Sequence, residues 1–155
     1  MNKKIVYLTT LTISVLSLLT AVHIEYSIGI KPCTLCIYQR IPYIVAIFVS
    51  FVGYNYYKND KILLLIVLIF TLNFLISGYH YGIENNIFEE FSGCSTNNLD
   101  VTDKTILLKT LTNNIPSSCK DVNFKLFGIS LAAINSVLSL LIVIYSLRTL
   151  FYEKN

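Results

Sequence analysis

The chain has 155 residues, long enough for one domain. Hydrophobic residues make up 54% and charged residues 14%, which excludes a disordered chain and leaves too little charge to coat a soluble enzyme. The net charge is only +3, with no basic run, so nucleic acid is not an implied partner.

Charge distribution dictates the fold class. Four windows lack Asp, Glu, Lys and Arg: Ile5–Ile24, Ile41–Tyr57, Ile62–Ile83 and Leu126–Leu147. A helix needs about 20 apolar residues to cross a bilayer. Helices of a soluble bundle would need a charged face at helical spacing, and these windows have none. The expectation is an all-α, four-helix transmembrane bundle forming a single integral membrane domain over 1–155. Its spans fall at about 5–24, 38–57, 62–82 and 126–147, and its outer loops at about 25–37 and 83–125. Lys3 and Lys4 precede the first window as in a signal peptide. That window is longer than a signal core and has no clean cleavage site, so it reads as a retained span.

Four spans put both termini on one side. Six Lys or Arg residues lie on each side, but those on the terminal side crowd into very short segments. The positive-inside rule weights such segments most, which places the termini in the cytoplasm.

The first outer loop carries Pro32-Cys33-Thr34-Leu35-Cys36-Ile37-Tyr38-Gln39-Arg40. Pro32 suits a first helical position, and starting the second span there repairs its short length. Cys33 and Cys36 then lie one turn apart at a helix N-terminus, where free N–H groups favour a thiolate. Arg40, four residues on, shares a face with Cys36 and is expected to lower its pKa. Zinc ligation and an inert disulfide are the alternatives. A bridge across two residues constrains little of the unfolded chain, and no second tight ligand pair completes a metal site. The expected metal is none.

The long second loop holds Cys94 and Cys119, 25 positions apart. All four cysteines thus face one side, which suits an oxidising periplasm. Between those two, Thr102 to about Leu111 reads as a short amphipathic helix on the membrane surface, with Ile106, Leu107, Leu108 and Leu111 as its apolar face. Its flanks are rich in Ser, Asn and Thr. Alone, the Cys94/Cys119 pair reads as structural; beside a reactive Cys-x-x-Cys, thiol–disulfide exchange becomes the attractive reading. Four cysteines allow three fully paired patterns. A relay needs a terminal acceptor. There is no haem, dinucleotide or iron–sulfur motif, which leaves a membrane quinone by elimination. His80 reads either as an interfacial residue between Tyr79 and Tyr81 or as a proton donor to that quinone, with Glu84 to orient it. His23 reads as a packed or snorkelling residue, and Asn73 and Asn135 as interhelical hydrogen-bonding residues.

These segments resemble the disulfide bond formation protein B (DsbB) family of membrane thiol oxidoreductases. The matching residues are Cys33-Thr-Leu-Cys36-Ile-Tyr-Gln39-Arg40, Tyr79-His80-Tyr-Gly82-Ile-Glu84, the paired Cys94 and Cys119, and Phe124-Lys-Leu-Phe127-Gly128-Ile-Ser130-Leu-Ala132-Ala-Ile-Asn135. They occur in the family's order over nearly the whole chain. Phe124 stands where Trp is common, a conservative departure. The resemblance implies catalytic Cys33, Cys36, Cys94 and Cys119, with Arg40 and His80 at a bound quinone, ubiquinone or menaquinone. Cys94–Cys119 would take electrons from a soluble DsbA-type thiol oxidase, Cys94 forming the mixed disulfide. Cys33–Cys36 would reoxidise that pair, and Cys36 would pass electrons to quinone. The implied location is the bacterial inner membrane. The vitamin K epoxide reductase type also couples two cysteine pairs, but its Cys-x-x-Cys lies in a late span.

Overall fold

A computed structural model of the chain describes residues 3–29, 32–89, 119–120, 125–126 and 128–152. Helix α1 spans Lys3–Ser27. A short α2, Thr34–Tyr38, leads into α3, Arg40–Asn55. Helix α4 spans Asp60–Glu84, strands β1 (Lys125–Leu126) and β2 (Ile129–Ser130) form a hairpin, and α5 spans Leu131–Tyr152. Four helices are long and apolar enough to cross a membrane, with α2 and α3 acting as one. The protein is a four-helix transmembrane bundle. The amphipathic helix expected over 102–111 lies outside the described residues.

Each boundary has a local cause. Cys33 caps α2: its backbone is extended and its Sγ accepts the Cys36 N–H at 3.3 Å. The helix therefore starts at Thr34, and Pro32 sits before the cap rather than at the first helical position. Pro42 lies in the first turn of α3. It has no N–H to offer the carbonyl four residues back, and its ring crowds that carbonyl, which separates α2 from α3 at Gln39. Asn59 caps α4 by accepting the Lys61 N–H at 3.1 Å, and Asp60 follows in the first turn, where a negative charge is favoured. Beyond Glu84, Asn86 adopts φ 58°, the left-handed conformation that stops the helix. Helix α5 begins five residues beyond the start of its charge-free window, because β1 pairs antiparallel with β2 (Leu126 opposite Ile129). Gly128 makes that turn with φ 83°. Ser130 then caps α5, accepting the Ala133 N–H at 3.2 Å.

Packing is inverted relative to a soluble bundle. Leu19, Phe48, Phe51, Leu75 and Val137 face outward, Phe48 being 69% exposed. The helix seams are filled by small and polar side chains: Thr10, Ser14, Ala46, Ser50, Ser77, Ser139, Ser146 and Thr149 are all buried. Lipid is as apolar as leucine, so helices associate through close contact and interhelical hydrogen bonds instead. Helix α1 lies mainly on α3, and α4 mainly on α5. Gly53 lets α1 and α3 approach: a methyl group there would overlap the ring of buried Tyr7. Val6, Tyr7, Tyr43, Ala46, Leu63, Ile66, Phe70 and Ile142 form the main core, with Tyr43 edge-on to Phe70 at 5.5 Å. At the end carrying the termini, Lys3 pairs with Asp60 at 2.6 Å and Lys4 lies 4.4 Å from the Tyr57 ring centroid.

Candidate thiol redox site

The opposite end of the bundle gathers the start of α2, the end of α4 and the start of α5. Cys33, Leu35, Ile83 and Cys119 form one buried cluster, against which half-buried Cys36 packs. Cys33 is 5% exposed and Cys119 2%. Cys33 and Cys36 are free thiols with Sγ atoms 2.8 Å apart, whereas Cys119 is disulfide-bonded. Cys94 lies outside the described residues.

His80 joins this cluster from α4. Its Nε2 lies 3.5 Å from Cys33 Sγ and 3.7 Å from Glu84 Oε1. The histidine is buried, and Glu84 lies beside it one turn on along the same helix. The other carboxylate oxygen, Glu84 Oε2, is buried with no hydrogen-bond partner among the described residues. His23 stands apart, exposed on α1 and bonded to Ser27 at 3.0 Å.

Two expectations change. The activated thiol is Cys33, not Cys36. Its pKa falls from the ordinary 9.0 to about 4, held down first by the hydrogen bond with the Cys36 thiol, then by His80, against the opposing effect of burial. The cap adds the smallest share: Cys33 Sγ receives the N–H of Cys36, while Cys36 lies inside the first turn. The second change concerns Arg40. Its guanidinium turns to Glu25 of α1, with Nη1 2.5 Å from Oε2, both side chains partly exposed. The α2–α3 break removes the simple i, i+4 relation between Cys36 and Arg40.

Cys33, Cys36 and His80 offer three metal-type ligand atoms within 4.8 Å. Two sulfurs on one zinc would stand about 3.8 Å apart, given Zn–S bonds of about 2.3 Å. The observed 2.8 Å is too short for two sulfurs on one zinc.

A polar chain runs inward from His80, and its link through Gln39 was not legible in the sequence. Gln39 Nε2 is 3.0 Å from His80 Nδ1, and Asn135 Nδ2 donates to Gln39 Oε1 at 2.7 Å. Asn135 Oδ1 accepts from Tyr43 Oη at 2.5 Å and Asn73 Nδ2 at 3.3 Å, and Asn73 Nδ2 also donates to Ser139 Oγ at 2.9 Å. Both asparagines bond between helices, as expected of amides in a span. Gln39 stood in the motif as a letter without a role; its burial at the α2–α3 break was the signal available only from Pro42.

Four spanning helices with a capped, buried Cys-x-x-Cys, beside a histidine and a disulfide-bonded third cysteine, define a membrane thiol–disulfide oxidoreductase. Residues 3–149 match the model of the disulfide bond formation protein DsbB family. The chain belongs to that family, whose members act in disulfide bond formation. It is also 31% identical over 159 residues to Uncharacterized protein RP370 of Rickettsia prowazekii (strain Madrid E), covering 98% of this chain and 90% of that protein.

Proposed function

We propose that the protein reoxidises a DsbA-type periplasmic thiol oxidase and passes the electrons to a membrane quinone, ubiquinone or menaquinone. The observation that carries this reading is the packing of disulfide-bonded Cys119 into one buried cluster with the free Cys33/Cys36 pair. Exchange needs a thiolate within collision distance of a disulfide. With Cys33 and Cys36 free, Cys94 is the one other cysteine that can pair with Cys119 within the chain.

The partner's dithiolate attacks Cys94–Cys119 through a mixed disulfide at Cys94. The partner leaves oxidised, and Cys94 and Cys119 become thiols. These reduce the Cys33–Cys36 disulfide, which takes the two electrons. Cys33 is the better leaving thiolate, since a low pKa speeds departure. Cys36 is the partly exposed sulfur and would be the one to meet the acceptor. The residues fit a quinone: Cys36 and Arg40 keep partial exposure at the span's start, a thiol and a guanidinium donor within reach of a ligand arriving there. Bound there, a quinone supplies a two-electron, two-proton sink. Arg40 would hold its oxygen, and His80 would supply a proton. The termini are cytoplasmic, the cysteine end faces the periplasm, and the bundle sits in the bacterial inner membrane.

The test is direct. Purified protein in detergent is mixed with a reduced DsbA-type partner and a soluble quinone analogue, and quinone absorbance is followed. Partner-dependent reduction that disappears in Cys36→Ser and in Cys94→Ser is the expected result. Disulfides inert to exchange and no reduction with either quinone class would mark a static membrane scaffold instead.

A further inference from the structure

The polar chain behind His80 has a direction, and that direction decides where the histidine carries its proton. Carboxamides have one accepting and one donating end. In the sense observed, Asn135 presents its oxygen to two donors, Tyr43 Oη and Asn73 Nδ2, and its nitrogen to Gln39. Gln39 must then accept with Oε1 and can only donate toward His80 Nδ1. A nitrogen receiving an N–H cannot carry one of its own, so the imidazole proton is on Nε2. That atom faces two acceptors, Cys33 Sγ at 3.5 Å and Glu84 Oε1 at 3.7 Å.

Turning every amide over gives the one other self-consistent chain. Gln39 would then accept from Nδ1–H, and in the neutral ring a bare Nε2 would confront a thiolate and a carboxylate. Lone pair against anion is repulsive in a buried site, so the groups at the sulfur end select the observed sense. At the opposite end Asn73 uses its nitrogen twice and leaves Oδ1 unpaired among the described residues.

We propose that Gln39 and Asn135 are positioning residues that act through His80, setting the tautomer of its neutral ring so that Nε2–H faces Cys33. The groups facing His80 are Cys33 on the α2 cap, Gln39 at the α2–α3 break and Glu84 on its own helix. Neither amide touches a sulfur in the bonds described, so their influence passes through the imidazole. The proposal deepens the thiol-relay reading and rests on it for its consequence. The measurement does not, because it needs neither quinone nor partner.

The experiment is ¹⁵N NMR of histidine-labelled full-length protein in detergent at pH 8, with exposed His23 changed to Gln so that His80 is the sole signal. The expected spectrum has Nδ1 bare and Nε2 protonated. Gln39→Glu places an acceptor against Nδ1 and is expected to move its resonance to the protonated position. Asn135→Asp reverses the chain from α5: Gln39 turns its NH₂ to the new carboxylate, and Nδ1 again gains a proton. Each variant checks the other should one fail to fold. A protonated Nδ1 in the Gln39 protein, or a bare Nδ1 in both variants, would overturn the proposal. Protein that lacks quinone reduction yet has the expected tautomer would count against the relay and leave this assignment standing.

Discussion

Cys33 should betray itself by the shape of its pH profile rather than by speed at neutral pH. Lowering its pKa from 9.0 to about 4 is a drop of roughly five units. At pH 7 that raises the thiolate fraction about 100-fold. Intrinsic nucleophilicity falls with pKa at a slope of about 0.4–0.5, so the same drop slows attack about 100- to 300-fold. The two nearly cancel, and a single rate at pH 7 decides nothing. At pH 5 an ordinary thiol is about 0.01% ionised, while Cys33 stays about 90% ionised. Cys33 should there be alkylated roughly 30- to 100-fold faster than an ordinary thiol. The assay is iodoacetamide labelling of the reduced protein from pH 3 to 9, quantified per cysteine by mass spectrometry. Because the folded pKa is depressed, the thiolate and its contribution to stability are present at high pH and are lost as pH falls through about 4. Two variants test the causes. Cys36→Ala removes the largest contributor and should raise the midpoint more than His80→Ala does. A Cys33 midpoint between 8 and 9, or the reverse order of the two variants, would refute this account of the thiolate.

Other consequences concern stability. Asn135→Leu deletes three interhelical hydrogen bonds, to Tyr43, Asn73 and Gln39. At about 0.6 kcal/mol for an average bond within a bilayer, the loss should be about 2 kcal/mol in a detergent-unfolding titration. Gly53→Ala drives a methyl group into the buried Tyr7 ring and should cost about 1–3 kcal/mol, read as a lowered Tm, with Tyr7→Leu restoring part of it. The Lys3–Asp60 pair is far more exposed on its acidic side, so a double-mutant cycle should find a coupling of only about 0.2–1 kcal/mol that shrinks in high salt.

Span number and element type followed from charge alone, because excluding charge from some 20 consecutive residues has one common physical cause, the hydrocarbon core. The cysteines were equally legible, since Cys-x-x-Cys at a helix start is a local arrangement and its two sulfurs meet whatever the rest of the chain does. The local reading erred where geometry turns on a single residue. Cys33 stands at the cap rather than in the first turn, and the activated sulfur is Cys33, held down by the Cys36 thiol and by His80, rather than Cys36. The break before Pro42 freed Arg40 to reach Glu25 on another helix.

The rest belonged to tertiary structure. Gln39, Tyr43, Asn73, Asn135 and Ser139 come from three helices and are separated by up to about a hundred positions, so no window of sequence joins them. Hydropathy also cannot tell which face of an apolar helix turns inward, because lipid and protein interior are equally apolar. The helices are sorted instead by small residues that permit close approach and by polar groups that need partners, and those partners exist only once α3, α4 and α5 stand side by side. The thiol pair was therefore written in the chain, while the histidine beside it was given its place and its partners by the packing of the bundle.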